Sequence, residues 1–170
     1  IGTTTCVGYL TDLDTGKVVS TESIMNPQVP YGEDVMSRIT YAMSNPEGLE
    51  TMQKAIIAGL NDICDRVAAE IGKKGPDAAH VIDDLTIVFN TAMHHIFLGM
   101  DPIYIGRSPF IPAVQNSLDI KARDLGLQIA PGAYIHVLPI EAGFVGADNV
   151  GVLIAEEPYN QDEMVLIIDI

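Results

Sequence analysis

The clearest pattern along the chain is a stripe of apolar residues at steps of three and four, which predicts a long helix. Its members are Leu49, Met52, Ile56, Leu60, Ile63, Val67 and Ile71. The segment Asn45-Pro46-Glu47 precedes the stripe as a cap, a first-turn proline and a first-turn acid, and Gly72 ends it. A shorter helix is predicted from Asp34 to Met43. The stripe must pack against a sheet or another helix.

Runs of β-branched and apolar residues predict strands on both sides of these helices. Residues Thr3 to Asp12 and Lys17 to Met25 flank the turn Asp14-Thr15-Gly16, a pattern typical of a β-hairpin. Leu85 to Phe89 is a short apolar run of the kind found in strands that are buried on both faces. Thr91 to Leu98 follows it as a predicted helix, which indicates a crossover connection.

The last third of the chain continues this alternation. Tyr134 to Ile140 predicts a strand, Gly143 to Asp148 a turn into a helix, and Met164 to Ile168 a final apolar strand. Residues 101–133 contain several prolines and little periodicity, so a loop or small insertion is expected there. The order of elements predicts an α/β fold with a mixed sheet that starts with an antiparallel hairpin and is flanked by helices.

Composition and charge narrow the class of protein. The chain has 170 residues, 48% apolar and 19% charged, and lacks an initiating Met, so we interpret it as one folded piece of a larger protein. Its formal net charge is −14, and no Lys/Arg cluster occurs. Nucleic acid and anionic membranes are therefore poor partners. No apolar stretch reaches the ~18 residues of a bilayer span and no signal peptide is present, so a cytoplasmic location is expected.

Cysteine and histidine give little sign of a metal site. Cys6 and Cys64 lie far apart in predicted apolar elements, without the spacing of zinc or iron–sulfur ligands, which favours reduced core residues. His94 and His95 are neighbours that leave a helix about 100° apart, so they do not form the i, i+4 pair that binds one metal ion.

Candidate chemistry lies at the ends of predicted strands. Gly2, Thr3, Thr4 and Thr5 form a turn that would present backbone N–H groups and hydroxyls to a phosphate, although threonine is also simply a good β former. Asp169 follows an apolar run. At the carboxyl edge of a sheet it would hold a metal ion, and as an ordinary strand end it would be solvated.

Three further segments each have two interpretations. Asn90 or Thr91 begins a helix as its N-cap, and Asn90 could also orient water or a phosphate. The loop Asn26 to Gly32 is a contact surface or a rigid connection. Gly143 and Gly146 allow close approach of a ligand or of another backbone. Neither a Walker-type loop, a G-x-G-x-x-G motif nor a nucleophile elbow occurs in the sequence.

Six segments of the chain are distinctive in combination: IGTTTCVGYLTDLDTGKVV, NPQVPYGEDVMSRITYA, FNTAMHHIFLGMDP, SPFIPA, LPIEAGFVGAD and the final LIIDI. Together they resemble the ATP-dependent reductive activators of corrinoid proteins, which belong to the actin, sugar kinase and Hsp70 superfamily of ATPases. The resemblance implies an actin-like, ribonuclease H-like lobe, the first of two in an ATPase core, spanning residues 1–170. The Asp usual before Ile1 and the Gly-Thr usual after Ile170 are absent, and Phe89 replaces a usual Gly.

The resemblance also implies an activity for the parent protein. Residues 2–5 and Asn90 would contact the phosphates of ATP, while Asp169 would be catalytic and position Mg²⁺ or the attacking water. An iron–sulfur cluster outside this chain would pass an electron to the cobalt of an inactivated corrinoid protein. This lobe alone would be inactive and hold no cofactor tightly. Its partners would be the corrinoid protein and the second lobe, with a homodimer left open.

Two alternatives remain at this point. One is a non-catalytic interaction module of the same fold, and the other is a sugar or carboxylate kinase of the same superfamily. A cysteine cluster upstream would favour electron transfer, and its absence would favour phosphoryl transfer. Any use of nucleotide requires Gly2 and Asp169 to lie side by side at one edge of a single sheet.

Overall fold

The structure, a computed structural model, describes residues 1–168, and these contain two separate sheets. Strands β1 (Thr5–Thr11) and β2 (Val18–Met25) form an antiparallel hairpin. Strands β3 (Asp84–Ile87), β4 (Leu118–Lys121) and β5 (Tyr134–Val137) form the second sheet in the order β3-β5-β4. Strand β3 is parallel to β5 and β4 is antiparallel to it, so the second sheet is mixed.

Four helices connect and cover the sheets: α1 (Val35–Ser44), α2 (Gly48–Glu70), α3 (Thr91–Phe97) and α4 (Ala147–Glu156). Helix α1 begins with a capping box, in which the Asp34 carboxylate accepts from Ser37 N at 2.7 Å and the Ser37 hydroxyl accepts from Asp34 N at 3.3 Å. Asn45 closes α1, because its side-chain amide donates to Tyr41 O at 2.9 Å.

Helix α2 organises the core because its apolar stripe is buried along most of its length. The buried members are Met52, Ile56, Leu60, Ile63 and Val67. The hairpin lies against this helix so closely that a Cβ on Gly8 would come within 2.5 Å of Ile63 Cγ2. On another side, α2 packs against α3, whose Met93, Ile96 and Phe97 belong to the same apolar cluster. One core therefore joins the hairpin, α2 and α3.

The predicted hairpin and helices are confirmed, and three expectations need correction. The hairpin forms its own sheet and does not begin the mixed one. Residues 101–133, predicted as a loop or small insertion, supply the edge strand β4 and a short 3₁₀ turn, Ala122–Leu125. The final strand predicted at Met164 to Ile168 is wrong: these residues are irregular and mostly exposed, and no described strand pairs with them. An apolar run becomes a strand only where a partner strand is available.

Among residues 1–168, every helix is too short or too polar to cross a bilayer.

The close approach of β1 to α2 predicts the effect of a single methyl group. Replacing Gly8 by Ala should destabilise the fold by about 1–3 kcal/mol, because the buried Ile63 cannot move away without opening the core. Gly132→Ala is the matched control, since nothing lies within 4 Å of the position its Cβ would take. Urea unfolding of both variants should show a loss of stability for Gly8→Ala only, and equal stabilities would contradict this packing.

Candidate functional site

The carbonyl oxygens of residues 2–5, which we call the Gly–Thr loop, all accept hydrogen bonds from the protein. Asn26 donates to the carbonyls of residues 2 and 4 at 2.8 Å each, from its side-chain amide and its backbone N–H respectively. The Arg38 guanidinium donates to Thr3 O. Within the loop, Gly2 N donates to Thr5 O at 2.9 Å. The loop is therefore held from one side by a buried asparagine and a buried arginine.

This arrangement leaves two backbone amides of the loop unused. A trans peptide points its C=O and its N–H in opposite directions, so carbonyls that face the interior turn the next N–H outward. The amides concerned are those of Thr3 and Thr4, and neither donates a hydrogen bond to any residue within 1–168. Gly2 and Thr4 are exposed. Two successive outward N–H groups form a ready donor site for the oxygens of an anion.

Asn90 joins the Gly–Thr loop to the start of α3. Its side-chain amide donates to Thr3 Oγ1 at 3.1 Å, and its Oδ1 accepts from Met93 N at 3.0 Å, which confirms it as the N-cap. Next to this contact, Ile1 N donates to Val88 O at 2.7 Å. Sequence positions 87 residues apart are thus brought together, and Asn90 lies against the Gly–Thr loop.

Arg38 is fully buried and has no carboxylate within 4 Å among the described residues. Its Nε donates to Gly32 O at 2.9 Å, and its Nη1 donates to Gln28 Oε1 at 3.4 Å and Met93 Sδ at 2.9 Å. Its Nη2 donates to Thr3 O. Burial lowers the pKa of the Arg38 guanidinium. A buried cation surrounded by neutral acceptors costs several kcal/mol, so this arrangement needs a compensating role.

The loop Asn26 to Gly32, which we call the support loop, is a rigid support, which excludes the alternative that its polar side chains form a contact surface. Asn26 and Gln28 are each only 1% exposed. Asn26 Oδ1 accepts from Gln28 N at 2.8 Å, and Gln28 Nε2 donates to Met52 O at 3.0 Å on α2. Analysis of the sequence missed the roles of Asn26 and Arg38. The available signal was a charged residue beside Ile39 on the apolar face of α1.

His94 and His95 form a buried pair, and their hydrogen bonds fix their tautomers. Ala113 N donates to His95 Nε2 at 2.9 Å, so the proton of a neutral His95 is on Nδ1, which faces Thr91 O at 2.9 Å. The two Nδ1 atoms are 3.2 Å apart, so His94 Nδ1 accepts and the His94 proton is on Nε2. That Nε2 has no hydrogen-bond partner among the described residues. Both rings are therefore neutral.

Gly143 and Gly146 allow two backbone segments to pack in direct contact. A Cβ on Gly143 would lie 2.1 Å from Phe110 O, and one on Gly146 would lie 2.5 Å from Phe89 O. Phe89 itself is buried, with its ring centroid 5.3 Å from that of Phe97. The Phe at position 89 thus fills the core and leaves Asn90 free to cap α3.

The two cysteines lie in the core, as predicted, and neither is bonded to the other. Burial raises the pKa of the Cys64 thiol to about 11, and it also raises that of Cys6. Both thiols are therefore protonated at neutral pH. Within residues 1–168, no group of three or more His, Cys, Asp or Glu side chains is placed to hold a metal ion. Asp169, the predicted metal and catalytic residue, lies outside the described residues, so its pairing with Gly2 remains a prediction.

Comparison with known proteins identifies the family. Residues 1–161 match the family model described as the RACo middle region. The chain belongs to the RACo middle region family. This RACo middle region is 36% identical over 154 residues to the corrinoid activation enzyme RamQ of Eubacterium limosum, covering 91% of this chain and 25% of RamQ.

A solved structure extends the comparison to the fold. The chain titled reductive activator for corrinoid, iron–sulfur protein matches this RACo middle region with a TM-score of 0.88 and 33% sequence identity. The match covers 96% of this chain and 25% of the solved one. The resemblance to corrinoid reductive activators is therefore confirmed, and this chain spans about a quarter of the length of both matched proteins.

The neutral histidine pair predicts a dependence of stability on pH. Burial, and then the neighbouring His95, lower the pKa of His94 from 6.5 to about 4. Between these values the unfolded chain binds a proton that the folded chain does not, so the free energy of unfolding falls as the pH falls from 6.5 to 4. The expected loss is up to about 1.4 kcal/mol per pH unit.

Urea unfolding of this chain at pH 7 and pH 5 measures that loss. His94→Phe should weaken the dependence without abolishing it, because it removes one of two histidines whose pKa burial lowers, and His95 remains. His80→Gln, at an exposed position, serves as the control and should keep the wild-type slope. A wild-type stability that does not change over this range would contradict the neutral pair.

Proposed function

We propose that this RACo middle region is the phosphate-binding lobe of an ATP-dependent reductive activator of a corrinoid protein. The observation that carries the proposal is the pair of outward amides at Thr3 and Thr4, whose neighbouring carbonyls are held by Asn26 and Arg38. Backbone N–H groups on one side of a fixed loop suit the oxygens of a phosphate. The names of both matched proteins support corrinoid activation as the process.

Each residue of the site has a distinct part in this proposal. The Thr3 and Thr4 amides bind phosphate oxygens, and the exposed Thr4 hydroxyl adds a donor. Asn90 orients the loop through Thr3 Oγ1. Asp169 contributes the carboxylate for Mg²⁺ or the attacking water. Bound ATP supplies the free energy that makes transfer of a low-potential electron onto cobalt favourable.

The negative surface of the chain influences how a nucleotide reaches this site. With a formal net charge of −14, the protein repels a free tetra-anionic nucleotide over about a Debye length. A magnesium complex carries less negative charge and meets a smaller barrier. Binding then depends on short-range hydrogen bonds, so the affinity for the nucleotide is determined by the geometry of the Gly–Thr loop.

The remaining parts of the activity lie beyond this chain. In the proposal, this chain is one lobe of an actin-like core, a second lobe contacts the adenosine, and an iron–sulfur cluster elsewhere in the parent protein supplies the electron. The corrinoid protein receives that electron. Neither the family description nor the two matched proteins points to a sugar or carboxylate kinase. A non-catalytic interaction module is the alternative that the next experiment separates.

Introducing a negative charge into the loop tests the proposal. In the full-length protein, Thr4→Glu should weaken MgATP binding more than tenfold and abolish ATP-dependent reduction of the corrinoid protein, because its carboxylate competes with the phosphate. Thr11→Glu is the matched control, since it adds the same charge at an exposed threonine at the far end of β1. It should behave as wild type.

Two measurements suffice: calorimetry with MgATP, and the absorbance change of the corrinoid when a chemical reductant is supplied with and without MgATP. Equal binding by Thr4→Glu and Thr11→Glu would place the phosphate elsewhere. Wild-type corrinoid reduction that is independent of ATP, with no MgATP binding, would support the interaction module instead.

A further inference from the structure

We propose that Arg38 is the positioning residue of the Gly–Thr loop, and that its buried charge, which pairs with no acid among residues 1–168, makes the loop selective for the phosphoryl groups of a nucleotide. This inference rests on the proposed function and extends it to a residue to which the sequence assigned no role.

The guanidinium ties together three parts of the chain that meet at the loop. It donates to Gly32 O and to Gln28 Oε1 in the support loop, to Met93 Sδ in α3, and to Thr3 O in the Gly–Thr loop. The planar fork of arginine can reach acceptors in several directions at once, and lysine cannot. Arg38 therefore sets the position of Thr3 relative to α3.

The contact with Thr3 O acts on the outward amide of Thr4. Thr3 C=O and Thr4 N–H belong to one planar peptide, with the two groups on opposite sides. A cation that accepts electron density from the oxygen polarises the peptide and strengthens the N–H as a donor. Asn26 makes the corresponding contact to Gly2 O, behind the amide of Thr3. The neutral Asn26 amide thus strengthens the Thr3 N–H as a donor, and the charged Arg38 guanidinium strengthens the Thr4 N–H, each through the peptide group that it contacts.

In the part of the chain that the structure describes, the charge of Arg38 has no paired acid. Of the groups that act on it, the Asp34 carboxylate is exposed and engaged in the cap of α1, and the buried Cys6 thiol is protonated. The chain has 23 acidic residues, yet none of those described pairs with this cation. An anion bound on the outward side of the loop is therefore the counter-charge that the site accepts, and uncharged ligands gain nothing from it.

Three variants of the full-length protein separate the effect of the Arg38 charge from the effect of its hydrogen bonds. Arg38→Gln removes the charge and keeps a hydrogen-bonding side chain, whereas Arg38→Lys keeps the charge and loses the fork. Arg66→Gln is the control, because Arg66 pairs with Asp62 at 2.7 Å on the exposed side of α2. For each variant we would measure MgATP affinity by calorimetry, KM and kcat for ATP hydrolysis, and thermal unfolding.

Arg38→Gln should bind MgATP about 30-fold more weakly and raise KM more than it lowers kcat. Arg38→Lys should stay within about fivefold of wild type, and Arg66→Gln should match wild type. A folded Arg38→Gln protein that binds as wild type would overturn the proposal, as would equal losses in both Arg38 variants, which would mean that only the fork matters. Should the Gln variant fail to fold, the Lys variant decides: retained binding supports the role of charge, and lost binding in a folded protein refutes it.

If the proposed function itself is wrong, the binding measurements give a different result. Wild-type protein that does not bind MgATP contradicts the proposed function before any variant is compared. Wild-type binding that the Arg38 variants leave unchanged contradicts only the inference about Arg38.

Discussion

A buried cation that forms no ion pair with any acid of residues 1–168 is the interaction on which the candidate site depends. The Arg38 guanidinium is removed from water and is surrounded by neutral oxygens and a thioether sulfur. Such a group is tolerated only when its hydrogen bonds are well made, so the elements that supply the acceptors must hold fixed positions. The buried Asn26–Gln28 turn and the N-cap of α3 fix two of those elements, and the capping box of α1 fixes the helix that carries Arg38.

Helix α2 provides the rigid body against which this polar network is built. It packs against the hairpin on one side and α3 on another, and its Met52 carbonyl accepts from Gln28. The Gly8 and Gly59 positions let the hairpin and the support loop approach without intervening side chains, since a Cβ on Gly59 would lie 2.9 Å from Ile24 Cδ1. Close packing at this interface limits how far the Gly–Thr loop can move relative to the core.

Sequence patterns predicted the elements whose stability is local. The apolar stripe of α2 and the turn at Asp14-Thr15-Gly16 each carry their information within a few residues, and both elements form as expected. The final apolar run at Met164 to Ile168 failed as a strand because pairing depends on a distant partner. Likewise, β4 gave too weak a signal: only Leu118 and Ile120 face inward on this short edge strand, and even these are half-buried.

The residues of the candidate site also fall into two groups, those with a local sequence signal and those whose contacts are distant in sequence. Gly2 to Thr5 and Asn90 were predicted from turn and cap chemistry, which is local. The contacts of Asn26 and Arg38 cross 24 and 35 residues of chain to reach the loop, and only the folded structure brings them together. Arg38 carried one clue, a charge beside Ile39 on an otherwise apolar helix face. The clue indicates burial, but it does not indicate what the charge faces.

The separation of the two sheets has a mechanical consequence. Among the described residues, the hairpin and the β3-β5-β4 sheet share no ladder, and the first residues of the chain bridge them through Ile1 to Val88 and Thr3 to Asn90. A ligand seated on Thr3 and Thr4 would therefore contact the short segment whose hydrogen bonds connect the hairpin to the residues that follow β3.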